Sequence, residues 1–160
     1  DPEPIEPWSD TVIANKTYVC MQYTLSQPIR DVVGTEDCLY VNVYVPRDTI
    51  TGKEDLDVVI HIHGGGYTVG DPKSFAAADY MVDREIVFVS ITYRVGVLGF
   101  LSTQDSVQPG NAGLKDQVLA MKWVKNNIKS FGGNPNSITL TGASAGGGAV
   151  HLHYLSPLSK

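Results

Sequence analysis

The sequence predicts an α/β fold: a mostly parallel, twisted sheet with helices on its faces. Two observations carry this reading. Apolar runs of strand length at residues 58–63, 86–93 and 137–141 alternate with helical segments, and continuous apolar strands of this kind belong to sheets covered on both sides. Two glycine-rich turns, at residues 63–66 and 142–146, leave the first and last of these runs directly. Each turn therefore lies at a strand's carboxyl end, where sheets of this class bind ligands.

Taken in order, residues 1–28 are rich in Pro, Asp and Glu, show no sustained period, and read as an extended surface segment. Residues 39–45 alternate well enough for a strand, and 47–57 form a polar connection turning at Thr51 and Gly52. The strand at 58–63 runs into HGGG. Residues 75–82 read as a short helix with Ser74 in the capping position. After the strand at 86–93, residues 94–111 form a long loop containing Gly and Pro, a type often functional in compact domains. Leu114, Val118, Met121, Val124 and Ile128 recur at three- and four-residue steps and predict one apolar face on a helix over 112–131. Gly132 and Gly133 end it. The strand at 137–141 then enters GASAG and a further helix. No internal repeat or low-complexity tract interrupts this order.

Composition bounds the function. A chain of 160 residues buries one sizeable core. The formal charge of −5 and pI near 5.2, without a Lys/Arg cluster, exclude nucleic acid and anionic membrane surfaces as partners. No apolar run approaches transmembrane length, so no membrane insertion is expected. No signal peptide is visible, and a first residue other than Met leaves room for a removed leader. Cys20 and Cys38 are either two buried thiols or one disulfide closing a short loop, which would stabilise the fold by roughly 3 kcal/mol. Asn15-Lys16-Thr17 is a glycosylation sequon with Asn15 as acceptor. Together with the cysteine pair it favours a secretory or extracellular setting. No Cys/His ligand spacing suggests a metal, and no cofactor is expected.

The chemistry centres on residues 142–146, GASAG. A serine hydroxyl is a weak nucleophile until it stands clear of the backbone beside a base and an anion-binding site. A sharp turn between a strand and a helix lifts it clear at the cost of backbone strain, and it requires small neighbours. Gly142 and Gly146 flank Ser144 accordingly. The glycines of HGGG let a second backbone approach a substrate unobstructed, so that N–H groups can face the oxygen that becomes negative during acyl transfer. A phosphate-binding loop is the competing reading of those glycines, but the Walker and Rossmann spacings are absent.

Six segments resemble the type-B carboxylesterase and cholinesterase family of α/β-hydrolases: EDCLYVNVYVP from Glu36, HGGGYTVG from His63, YRVGVLGFLS from Tyr93, GNAGLKDQVLAMKWVKNNIKSFGGNP from Gly110, ITLTGASAGG from Ile138 and HYLSPLS from His153. They occur in family order and look most like insect carboxylesterases, a group that includes juvenile-hormone esterases. The resemblance implies a partial α/β-hydrolase domain over residues 1–160, lacking the family's first strands and everything after the elbow helix. It implies Ser144 as nucleophile, the N–H groups of Gly65, Gly66 and Ala145 as oxyanion donors, a Cys20–Cys38 disulfide, and Glu36, Asp37, Arg94 and Asp116 as ion-pair partners. The implied activity is hydrolysis of a small-molecule carboxylic ester. Ala143 stands where many members carry Glu, which favours a neutral, lipophilic ester over a cationic one. The chain order Ser, then Asp/Glu, then His places the rest of the triad beyond this chain, and these 160 residues by themselves are expected to be inactive. A residue seven positions along a helix lies about 10 Å away along the axis, so His151 and His153 read as packing or surface residues. His61 reads as a satisfied core histidine, and His63 as shaping its loop through hydrogen bonds. Tyr67 either supports the mouth of the site or simply packs. The alternative reading is an inactive binding or adhesion module of the same fold.

Overall fold

A computed structural model describes residues 1–24, 31–73 and 78–159. A four-stranded sheet forms its centre, built from β3 (Val41–Tyr44), β4 (Leu56–Ile62), β5 (Val87–Ile91) and β6 (Gly133–Gly142) in the order β3-β5-β4-β6. β4 runs parallel to both β5 and β6, and β3 is antiparallel at one edge. The expected mostly parallel α/β sheet is therefore present. The last strand is longer than the predicted 137–141 because its pairing with β4 extends back past an irregularity between Leu56 and Val58.

Alternation along the strands decides the core. Val58, Ile60 and Ile62 of β4 and Val87, Val89 and Ile91 of β5 are fully buried in one apolar cluster. Strand residues at every second position share a face. The helices α3 (Ala112–Asn127) and α4 (Ala145–Leu155) contribute Ala120, Val124 and Ala149 to the same cluster. Of the predicted stripe, Val124 and Ile128 are buried in the cluster and Leu114 and Met121 pack half-buried against it, while Ala112, Gly113, Asp116, Gln117 and Ala120 are buried as well. Small and polar residues take the inner face because Gly113 packs directly on the Arg94 carbonyl and the Phe100 ring. A 3₁₀ turn, Ile128–Phe131, follows α3 and ends at Gly132 in the left-handed conformation.

Three predicted boundaries change. The loop at 94–111 contains a helix, α2 (Gly96–Phe100). The helix predicted at 75–82 is observed as α1 (Ala78–Val82), while Ser74 and Phe75 lie outside the described residues. Within the N-terminal segment, read as extended surface, β1 (Gln22–Tyr23) pairs antiparallel with β2 (Val32–Val33) to form a small ribbon. Cys20 and Cys38 are joined by a disulfide beside it. A two-residue strand carries no period to detect, which is why the sequence did not disclose it.

Arg94, immediately after Tyr93, pairs with Asp116 on α3. The Arg94 backbone N–H and Nε donate to Asp116 Oδ2 at 3.0 and 2.8 Å, and Nη2 donates to Oδ1 at 2.6 Å. The Asp116 side chain is fully buried. Glu36 and Asp37, also expected in ion pairs, form none among the described residues; Asp37 accepts a hydrogen bond from the Tyr40 hydroxyl instead. Removing one partner of a buried pair leaves the other charge uncompensated. Asp116→Ala should therefore destabilise the full-length protein by about 3–5 kcal/mol, read as a lower urea midpoint at unchanged slope. A loss below about 1 kcal/mol would mean that the pair is structurally idle.

Candidate active site

The site forms where β4 and β6 end. Their parallel register pairs His61 with Thr141 and Ile62 with Gly142, so HGGG and GASAG leave neighbouring strands at the same level. The two turns touch. A methyl group on Gly64 would lie 3.1 Å from Ser144 Cβ and 2.6 Å from the Ala143 carbonyl oxygen. Segments 63–66 and 142–146, far apart in sequence, thus lie side by side.

Ser144 has φ 55° and ψ −124°, a conformation that L-residues rarely adopt and that costs of order 1–3 kcal/mol. It is exposed and stands immediately before the first residue of α4. The Gly146 N–H donates to the Ala143 carbonyl at 2.9 Å and the Gly148 N–H to the Ser144 carbonyl at 3.1 Å, which closes the turn into the helix. Space explains the flanking glycines. A Cβ on Gly146 would sit 2.0 Å from the Ile62 carbonyl oxygen, and one on Gly142 would sit 2.4 Å from the Gly146 carbonyl carbon. The elbow can therefore rest on the end of β4 only without side chains there.

On the other turn, Gly65 has φ 114° and its absent Cβ would overlap the Val69 carbonyl oxygen. The Gly65 carbonyl accepts from the Thr68 N–H at 3.0 Å, the Val69 N–H at 3.1 Å and the Thr68 hydroxyl at 3.1 Å. These bonds commit the oxygen to the loop. Gly66 (φ 62°) and Tyr67 (φ 59°) continue in the left-handed region. The Tyr67 ring packs on Phe100, and its hydroxyl lies beside Gly148 at the start of α4, so it supports the wall between the two turns.

The histidines separate by environment. His63 is buried and stacks on Tyr93 with ring centroids 4.3 Å apart. Its Nδ1 donates to the Gly64 carbonyl at 2.9 Å, while the Tyr93 hydroxyl donates to the His63 carbonyl at 2.8 Å. Burial holds its pKa below the ordinary histidine value, which favours a neutral ring that shapes the loop. His153 is buried on α4, 2.7 Å from Gln117 Oε1 and 2.9 Å from the Ser159 hydroxyl, and burial lowers its pKa as well. His151 is exposed on the same helix. His61 departs from expectation: it is buried, but its Nε2 has no hydrogen-bond partner among the described residues. Its side chain occupies the sheet face opposite the apolar core, near Phe88. No group of His, Cys, Asp or Glu among the described residues is arranged to hold a metal ion.

A strained serine between a parallel strand and a helix, facing a glycine loop from the adjacent strand, defines the α/β-hydrolase fold. The chain belongs to the carboxylesterase family, whose model matches residues 1–160. It is 53% identical over 161 residues to Venom carboxylesterase-6 of Apis mellifera, spanning 99% of this chain and 28% of that protein. It is 47% identical over 163 residues to Juvenile hormone esterase of Tribolium castaneum, spanning 99% of this chain and 27% of that protein. Among solved structures, a PNB esterase superposes with a TM-score of 0.83 at 37% identity over 99% of this chain and 33% of that one. The chain thus spans well under a third of the curated relatives' lengths.

Substitutions at two glycines should separate space from strain. Gly146→Ala forces a methyl group into the Ile62 carbonyl and should prevent recovery of soluble, folded full-length protein. Gly66→Ala, where the nearest atom to the new methyl group lies 3.7 Å away, should fold with a penalty of only about 1–2 kcal/mol for its left-handed backbone. Equal thermal stability of the two variants would contradict this packing.

Proposed function

We propose that the whole protein is a serine carboxylic-ester hydrolase and that Ser144 is its nucleophile. The observation that carries this reading is Ser144 itself: a non-glycine residue at φ 55°, held at a strand-to-helix turn against the backbone of Gly64. Such strain persists where surrounding structure enforces it, and it clusters at functional sites.

In the proposed reaction the Ser144 oxygen attacks the ester carbonyl while its proton passes to a histidine oriented by a carboxylate. The tetrahedral oxyanion accepts hydrogen bonds from the Gly65, Gly66 and Ala145 N–H groups. The alcohol departs with that proton and leaves an acyl group on Ser144. Water repeats the attack, and the carboxylic acid is released. The histidine and acid belong to the remainder of the protein. His63 is occupied in its loop, His153 is bonded to Gln117 and Ser159, and His151 lies about 10 Å along α4 from the serine. The substrate is a neutral, lipophilic ester, because Ala143 brings no charge to the turn. The Cys20–Cys38 bridge and the exposed Asn15 of the sequon support a secreted glycoprotein, since structural disulfides belong to oxidising compartments.

A fluorophosphonate should label Ser144 in the full-length protein and abolish hydrolysis of a nitrophenyl ester, and Ser144→Ala should lower kcat by about 10⁴-fold or more. Absence of labelling, with a bound neutral ester left intact, would instead identify a non-catalytic binding module. For the glycan, peptide-N-glycosidase should increase the mobility of the secreted protein, and Asn15→Gln should remove that shift. A wild-type protein indifferent to the glycosidase would exclude Asn15 as an acceptor.

A further inference from the structure

We propose that Gln22, in the N-terminal ribbon, is a positioning residue for the glycine loop. The inference rests on the reading of that loop as the oxyanion-binding element. Gln22 grips the backbone of Gly70 at two points: its Nε2 donates to the Gly70 carbonyl at 2.7 Å, and the Gly70 N–H donates to its Oε1 at 2.7 Å. The same Nε2 donates to the Cys20 carbonyl at 3.0 Å. One side chain thus ties residue 70 to the disulfide-anchored end of the ribbon, across 48 positions of sequence.

Gly70 is an effective point to hold. Its Cα faces the His63 ring so closely that a Cβ would lie 2.0 Å from the ring atoms. It also follows Val69, whose N–H bonds the Gly65 carbonyl and whose own carbonyl fills the space where a Gly65 side chain would stand. Pinning Gly70 therefore fixes Val69, and Val69 fixes Gly65. The opposite end of the loop is fixed by β4 and by the Tyr93 hydroxyl on the His63 carbonyl. Tyr67, in the middle of the loop, is held by the Gly96 N–H on its carbonyl at 2.6 Å, and Gln22 supplies the hold at the far end, at Gly70. Aligned N–H groups stabilise a transition state only when they are already in place, and a displacement of about 1 Å can cost about a hundredfold in rate.

The test uses the full-length protein with a nitrophenyl ester. Gln22→Leu, of similar volume, removes both bonds to Gly70 and should lower kcat by about ten- to a hundredfold with KM within about threefold of wild type, because the lost stabilisation belongs to the transition state. Gln22→Glu adds a signature that loss of fold cannot mimic. Its carboxylate places negative charge against the Gly70 carbonyl, whereas its protonated form is isosteric with the carboxamide and restores one donor and one acceptor. The kcat ratio of Gln22→Glu to wild type should therefore rise as pH falls from about 8 to about 5.5, as a half-buried carboxyl set against the Gly70 and Cys20 carbonyls takes up its proton. The corresponding ratio for Gln22→Leu should stay flat. A Gln22→Leu kcat within about twofold of wild type would overturn the proposal. So would a flat Gln22→Glu ratio, which decides the matter if the leucine variant does not fold. Amide exchange over residues 64–70 should also accelerate in the variants. That readout needs no turnover, so unchanged exchange overturns the positioning role even where the wild-type protein proves inactive and the esterase reading itself fails.

Discussion

The parallel pairing of β4 with β6 is the constraint on which the site depends. Two turns that are 76 positions apart, counted from Gly66 to Gly142, meet because Ile62 stands opposite Gly142 in the ladder. Register fixes the height at which each chain leaves the sheet, and a slip of one residue would also reverse the facing of every side chain on the strand. Val58, Ile60 and Ile62 prevent that slip, since a shift of one residue would turn three fully buried side chains toward the opposite face. Core packing is thus what aligns the two turns, and the turns then need only the space to touch. Gly146 provides it by letting α4 begin directly against the Ile62 carbonyl.

Support for the glycine loop comes from backbone and neutral groups. The Gly65 carbonyl is satisfied three times over, and the neutral His63 ring lies between Tyr93 on one side and Gly70 on the other. A charged ring in that place would require its own compensation, and burial disfavours the charged form. The ionic hold lies one layer away, at Arg94 and Asp116, where it anchors the chain after β5 to α3 without placing a formal charge between the turns. On the proposed reading, the N–H groups of the loop would then be held in place before negative charge develops, which is what makes such donors effective.

Much of this was legible in the residues because the fold's informative parts are local. Apolar runs at 58–63 and 86–93 announce buried strands, and each glycine turn sits at the carboxyl end of its run, so the crevice followed from topology alone. The elbow was legible for the same reason: the space around Ser144 demands Gly142 and Gly146, and those residues appear in the sequence. What escaped was carried by partners remote in sequence. Gln22 bears no signal beyond lying two positions after Cys20, and Gly70 looks like an ordinary loop glycine until the His63 ring is seen against it. The apolar stripe on α3 was legible, but its small and polar buried residues were not, because periodicity weighs hydrophobicity whereas close contact of Gly113 with Arg94 and Phe100 selects a small residue. His61 was expected to be satisfied, and its Nε2 finds no partner among the described residues.

Ala143 shows how architecture and electrostatics separate within the elbow. The residue is exposed, and what the structure uses of it is the carbonyl, which accepts the Gly146 N–H and lies against Gly64. Any side chain able to follow this backbone would leave those contacts in place, so the departure from the glutamate common in the family does not loosen the turn. Its consequence is in the field. A carboxylate here would stand one residue from Ser144, the proposed nucleophile, attracting a cationic substrate and opposing negative charge developing on an acyl oxygen. Alanine removes both effects together. On the proposed reading, the same substitution that weakens the case for a choline-like substrate would leave the backbone N–H groups to meet the oxyanion without a nearby like charge, an arrangement that suits a neutral ester.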